Sequence, residues 1–317
     1  MATNQSVFDR YPAGRKPLRF DENGRFRILM VSDFHGMPEF NPKMTEGLEA
    51  LLEHTKPDFV FVGGDQCCNL SEDILHAFLT KVMAPVHERN LPWAHVFGNH
   101  DHDLPFDDAE KAAIYESYPH CVAARVPGLS GTTNFCLPIL RHDSDCVAYA
   151  VWGLDSGNRP RPELARYAWP NGWDCAHFDQ LMWYYEGSRR LEAENGGKVP
   201  GILLEHIPLY EHQIPIDHPD FCGTVGCTSE HLALSYLNNG LLSCMVDRGD
   251  IRAFCCGHNH DNNFEADWCG IRLCYAGSAG YYAYGDNENR GVRLFVLSED
   301  GSLETRFCPH GPFSAGE

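Results

Sequence analysis

The chain has 317 residues, 43% of them hydrophobic, with 44 acidic side chains against 25 basic ones and a formal net charge of −19. That apolar content fills the core of one large α/β domain or two small ones. The acidity argues against non-specific binding to nucleic acid or to an anionic membrane face, and no run approaches the roughly 18 consecutive apolar residues of a transmembrane helix.

Residues 1–24 read as an irregular lead-in. Met1 to Arg19 is polar, with Pro12 and Pro17, and lacks the apolar centre of a secretory signal, so a cytoplasmic location is expected. Arg25–Val31 is the first strand, closed by Ser32-Asp33-Phe34-His35-Gly36. Lys43–Thr55 places Met44, Leu48, Leu51 and Leu52 on one helical face. Asp58–Val62 is a second strand, ending in Gly63-Gly64-Asp65. Ser71 suits an N-cap, with Glu72 and Asp73 at the positive helix start, and its helix runs toward Asn90. Pro92–Phe97 is a third strand, ending in Gly98-Asn99-His100-Asp101. Strand, helix, strand, helix, strand marks right-handed parallel crossovers.

Asp107–Ser117 is predicted helical, and Asn134–Leu140 with Cys146–Leu154 a β-hairpin. Arg159–Asn171 reads as a surface loop. Its arginines, Arg159, Arg161 and Arg166, are close in sequence, and a solvated loop explains them as well as a binding site does. Asp174–Glu194 is a helix stopped by Gly196-Gly197. Ile202–Leu204 is a strand leading to Glu205-His206, Ser229–Asn238 a helix closed by Gly240, and Ile251–Cys256 a strand leading to Gly257-His258-Asn259-His260. Ile271–Tyr275 and Val292–Leu297 complete the sheets, and the tail at 304–317 is expected to be loose. With no repeat or linker in view, a single domain over 1–317 with two packed sheets flanked by helices is the simplest architecture.

The 14 cysteines include no CxxC pair, which argues against zinc-ribbon and thioredoxin chemistry. They read mostly as buried thiols in a reducing compartment, with Cys222 and Cys227 the pair best placed for a disulfide in an exported protein.

The chemistry-bearing residues gather at strand ends: Asp33, His35, Asp65, Asn99, His100, His206, His258 and His260. In an extended strand, positions i and i+2 face the same side, so Asp33 and His35 leave the first strand together. In a mostly parallel α/β sheet the strand carboxyl ends share one edge. Oxygen and nitrogen donors without thiolate suit Mn²⁺, Fe²⁺/Fe³⁺ or Zn²⁺. Eight residues are too many for one ion, and two ions sharing a carboxylate about 3.5–4 Å apart is the natural arrangement. Two such ions leave the site net positive inside an acidic protein, which accommodates a phosphate ester.

The series Asp33-x-His35, Gly63-Gly64-Asp65, Gly98-Asn99-His100-Asp101, His206 and Gly257-His258-x-His260 resembles the calcineurin-like metallophosphoesterase superfamily. The resemblance implies a four-layer α-β-β-α sandwich with two mixed sheets. It assigns Asp33, His35 and His260 to a first metal, Asn99, His206 and His258 to a second, and Asp65 to the bridge. His100 faces the leaving group, and Asp101 either orients it or belongs to the turn. Leu18-Arg19-Phe20, His206-Ile207-Pro208-Leu209 and the span from Cys269-Gly270 to Tyr284-Gly285 resemble the small purple-acid-phosphatase-like proteins of plants and related fungal phosphatases. One departure is Cys68, at the position where purple acid phosphatases carry a metal-bound tyrosine; no purple colour is expected.

The implied function is hydrolysis of phosphate monoesters, small or on phosphoproteins, by a metal-activated hydroxide. Alternatives are a phosphodiesterase or nucleotide hydrolase on the same residues, and a scaffold without activity. Asn99 and His100 would also meet the substrate, and Tyr281, Tyr282 and Tyr284, in a Gly-rich loop after a strand, are further candidates for that contact. His102 and Asp103 could line the mouth, while Glu205 faces away from His206 and reads as structural. The Trp183-Tyr184-Tyr185 cluster reads as helix packing.

Overall fold

Apolar runs of β-branched and aromatic residues form strands, and a computed structural model describes residues 11–67, 71–103, 105–167 and 172–310. The strands are Leu18–Arg19 (β1), Arg25–Val31 (β2), Phe59–Val62 (β3), Trp93–His95 (β4), Phe135–Leu140 (β5), Val147–Gly153 (β6), Gly201–Leu204 (β7), Ile251–Cys256 (β8), Glu265–Trp268 (β9), Ile271–Tyr275 (β10), Gly291–Ser298 (β11) and Leu303–Pro309 (β12). The helices are Pro42–Thr55 (α1), Glu72–Ala77 (α2), Ala84–Glu88 (α3), Asp108–Ser117 (α4), Phe178–Asn195 (α5), Gln213–Asp217 (α6), Pro219–Cys222 (α7) and Leu241–Arg248 (α8). None of the described helices is long and apolar enough to cross a membrane.

Two mixed sheets result. One has the order β1-β5-β6-β7-β8-β10-β9, the other β12-β11-β2-β3-β4. Strand alternation builds the layers. On β5, Phe135, Leu137 and Ile139 join the core shared with β2 and β3, where Phe135 meets Phe61 at 5.9 Å between ring centroids. Cys136 and Leu140 turn to the opposite core, with Leu181 and Tyr184 of α5 and Leu241 and Met245 of α8. Met44, Leu48, Leu51 and Leu52 of α1 cover the other sheet. Helix, sheet, sheet, helix is the layer order, the four-layer sandwich that the motifs imply. Strands β2, β3 and β4 run parallel, as do β6, β7, β8 and β10, so their carboxyl ends deliver loops to common edges.

Four expectations change. The helix expected from Ser71 to Asn90 is three pieces, with a π-helical turn at Phe78–Val82 between α2 and α3. Pro85 lacks the N–H a continuing helix needs, so it sits in the first turn of a new one. Ser229–Asn238 is not helical. Its backbone N–H groups are taken by distant partners, Glu230 by Asn262, Ala233 by Asn259 and Tyr236 by Trp173, and the helix lies just beyond, at α8 between left-handed Gly240 and Gly249. The tail is not loose at its start. β12 pairs with β11 from Leu303 to Pro309, an edge strand of alternating exposure. The lead-in is not wholly irregular either: β1 pairs with β5, and buried Tyr11 donates to the carbonyl of Pro138. Cys222 and Cys227 are both free thiols.

Candidate metal centre

Ser32–Gly36 follows β2, Gly63–Gln66 follows β3, Gly98–Asp101 lies beyond β4, His206 beyond β7 and Gly257–His260 beyond β8. Main-chain bonds lace these loops together. Asp33 N donates to Gly64 O at 3.0 Å, His35 N to Asp65 O at 2.9 Å and Gly257 N to His206 O at 3.1 Å. Asp33 and His35 do not converge through strand alternation. Both lie past β2 in the left-handed region, at φ of 57° and 48°, and Asp65 (55°) and His258 (74°) share it. That conformation costs a side-chain-bearing residue on the order of 1 kcal/mol or more and clusters at functional sites. Two glycines make the close approach possible. A Cβ on Gly98 would meet Asp65, and one on Gly257 would meet Ser32 and the Asp33 carboxylate.

Two groups of donors result, Asp33, His35 and His260, and Asp65, His206 and His258, with all six residues buried. His35 Nε2 lies 3.0 Å from His260 Nε2, and His260 Nε2 lies 3.4 Å from Asp33 Oδ1. His206 Nε2 lies 3.2 Å from Asp65 Oδ2 and 3.9 Å from Asp33 Oδ1. His35 Nε2 stands 3.7 Å from Asp65 Oδ2 and 3.8 Å from Asp33 Oδ1, so it joins the two groups. Ligands at 2.0–2.2 Å from one ion stand about 3–3.5 Å apart, so these spacings fit metal ions. The Asn99 amide, 1% exposed, has neither its nitrogen nor its oxygen hydrogen-bonded, and His258 Nε2 is likewise unpartnered. Buried polar atoms without partners are costly; a cation held here would take up the lone pairs of Asn99 Oδ1 and His258 Nε2.

The surroundings fix the imidazoles. His206 Nδ1 bonds Gly63 O at 2.9 Å and His260 Nδ1 bonds Tyr284 O at 2.8 Å, which turns each Nε2 inward. The Tyr284 ring lies flat on His260, 4.1 Å between centroids at 6°. Its phenol donates to Glu230, whose carboxylate also accepts from Asn259 Nδ2 and Asp261 N. Electrostatics favour cations. Burial opposes charge on Asp33, but His206, His260 and His35 hold its carboxyl well below the usual range. Burial also opposes charge on His206, yet Asp65 and Asp33 push it up to about 10. Burial, then the charge of His206, pushes His258 down to about 3, leaving it a free base.

His100 reaches this centre, its ligand atom grouping with His35 and Asp65. Its backbone N–H donates to Asp65 Oδ1 at 2.8 Å, and its ring Nδ1 bonds Asp103 Oδ2 at 2.9 Å. Of the two roles expected of Asp101, its hydrogen bonds describe the one in the turn. Its buried carboxylate accepts from the backbone N–H groups of Asp65, Gln66 and Gly98, so it ties the two loops together. His102 does not line the mouth as a ligand. It bridges Asp108 and Asp155, and although burial works against it, Asp155 and Asp108 push it up to about 11. Tyr281 spends its phenol on His310 and packs against the core, and Tyr282 is exposed; of the three loop tyrosines, Tyr284 touches a candidate ligand. Glu205 is buried, with Oε2 unpartnered and burial pushing its carboxyl well above the usual range. Trp173 escaped the sequence reading. Its ring stands edge-on to His258, 4.8 Å between centroids, and no local pattern marks it. Cys68 lies outside the described residues.

The model of the calcineurin-like phosphoesterase family matches residues 26–262, well over half the chain. The chain belongs to this family. Its metallophosphoesterase motifs are those gathered above. Among sequence relatives it is 28% identical to "probable inactive purple acid phosphatase 14" of Arabidopsis thaliana, over 88% of this chain and 76% of that one. It is 26% identical to phosphatase DCR2 of Saccharomyces cerevisiae, over 90% of this chain and 54% of the other. A crystal structure of a dimetal phosphatase from Danio rerio shares the fold at a TM-score of 0.53 and 13% identity, covering 90% of this chain and 99% of that one.

Proposed function

We propose that this phosphoesterase-family chain is a dinuclear metal-dependent phosphomonoesterase. Asp33, His35 and His260 would hold one ion, Asn99, His206 and His258 the other, and Asp65 would serve both. The Mn²⁺, Fe²⁺/Fe³⁺ and Zn²⁺ ions suit this donor set. Bound there, two cations lower the pKa of water and neutralise phosphoryl oxygens. The chain's own residues do the rest. Asp103 holds His100 at Nδ1, which leaves Nε2 to give a proton to the departing oxygen. Asp101 keeps the Asp65 and Gly98 loops in register. The observation that carries the reading is the two buried groups, Asp33, His35 and His260 with Asp65, His206 and His258, together with the buried, unpartnered acceptors Asn99 Oδ1 and His258 Nε2.

Elemental analysis paired with turnover of an aryl phosphate, a bis-aryl phosphate and nucleotides in added Mn²⁺ tests it. Two ions per chain and turnover of the monoester are expected, and Asp65→Asn should lose metal. Turnover of diesters alone would make the protein a phosphodiesterase. The scaffold alternative draws on the word "inactive" in a relative's name; full metal loading with no turnover of any ester would establish it.

A further inference from the structure

The loop after β6 carries a cation to the rim of the centre. Arg159 is exposed and makes neither an ion pair nor a hydrogen bond among the described residues, although the chain has 44 carboxylate side chains. Its guanidinium lies over the Trp173 ring, 3.7 Å from the centroid, and Trp173 stands edge-on to His258. The platform is anchored. Trp173 N donates to Leu234 O and Tyr236 N to Trp173 O, a bridge to the segment that carries Glu230. The neighbouring Asn158 donates through Nδ2 to Asp103 Oδ1, the carboxylate that holds His100. Arg159 is therefore flanked by residues that touch the centre from two sides.

We propose that Arg159 recognises a second anionic group on the substrate, separate from the phosphate that occupies the metal centre. Stacking fixes the guanidinium plane and leaves its rim of N–H donors free for bidentate pairing with a carboxylate or phosphate. Among the described residues Arg159 meets the candidate ligands only through Trp173, so it is set back from the phosphate held at the centre. The substrate class is a phosphate ester bearing a further phosphate or carboxylate one aromatic ring away. The inference rests on the phosphoesterase reading only in placing a phosphate at the centre.

Binding of non-hydrolysable probes separates the two. Calorimetry on the Mn²⁺-loaded protein compares phenylphosphonate with 4-carboxyphenylphosphonate and 1,4-phenylenediphosphonate. At least one two-anion probe should bind roughly tenfold tighter than phenylphosphonate, and the tighter of them identifies the second group as carboxylate or phosphate. Arg159→Ala should lower that affinity ratio about tenfold, and Arg159→Lys should leave it intermediate. A ratio of one in the wild type, or a ratio unchanged by Arg159→Ala, overturns the proposal. Phenylphosphonate binding without turnover of aryl phosphate would count against the esterase reading alone. Failure of all three probes to bind overturns both.

Discussion

His100 and Asp101 are adjacent, yet their environments divide them. His100 is half-exposed, with Nδ1 on Asp103 and no hydrogen bond to its other ring nitrogen among the described residues. Asp101 is buried beneath three backbone donors. His100→Ala should therefore keep both metals and lower kcat roughly 10²–10⁴-fold, the range for loss of a general acid; unchanged turnover on an aryl phosphate rules that role out. Asp101→Ala should behave as a structural lesion. Three N–H groups lose their acceptor, at a cost on the order of 3 kcal/mol, and metal content should fall with the denaturation midpoint. A fall in kcat with stability and metal both intact would restore Asp101 to catalysis.

Helix α1 shows local rules at work. Asn41 accepts from Lys43 N at its start, Pro42 fits the first turn, and Lys56 closes it in the left-handed conformation, at φ 46°. Glycine suits that position, so Lys56→Gly should stabilise the protein by about 0.5–1 kcal/mol. A lower urea midpoint would show that the Lys56 side chain contributes more than its backbone costs. The segment at 229–238 marks where local rules stop. Its pattern reads as a helix, but Glu230, Ala233 and Tyr236 bond partners 26 to 63 residues away, and tertiary partners outweigh a propensity of tenths of a kcal/mol per residue. β12 was obscured for the opposite reason. Its alternation of Leu303, Thr305 and Phe307 with Glu304 and Arg306 needs the edge of β11 to become a strand.

Across the whole molecule, burial sets the response to acid. His95 is fully buried with neither ring nitrogen bonded, stacked on Tyr115 at 4.2 Å. Burial pushes its pKa from 6.5 down to about 3. The folded protein thus refuses a proton that the unfolded chain accepts below pH 6.5. This contribution is intact above that pH and is lost as pH falls toward 3. His95→Phe keeps the stack and removes the proton, so between pH 7.5 and 5.5 the variant should lose about 1.4 kcal/mol less stability than the wild type. Parallel curves of denaturation free energy against pH would mean His95 is protonated in the fold.

The candidate ligand types, their order and their attachment to strand ends were determined by the sequence alone, because each motif is local: an apolar run, then Asp-x-His, Gly-Gly-Asp or Gly-His-x-His within a few residues. Strands β2 to β8, β10 and β11 and the α1 and α5 helices follow from the same short-range patterns. Tertiary structure decided the rest. The loops delivered by β2, β3, β7 and β8 meet through left-handed turns at Asp33, His35, Asp65 and His258, and those turns depend on main-chain bonds between loops rather than on residue type. Tertiary packing also sets Asp101 under the N–H groups of Asp65, Gln66 and Gly98, brings Tyr284 rather than Tyr281 onto His260, and lays Arg159 on Trp173 beside His258. Those contacts join residues far apart in the chain, and no local pattern encodes which side chain lands on which.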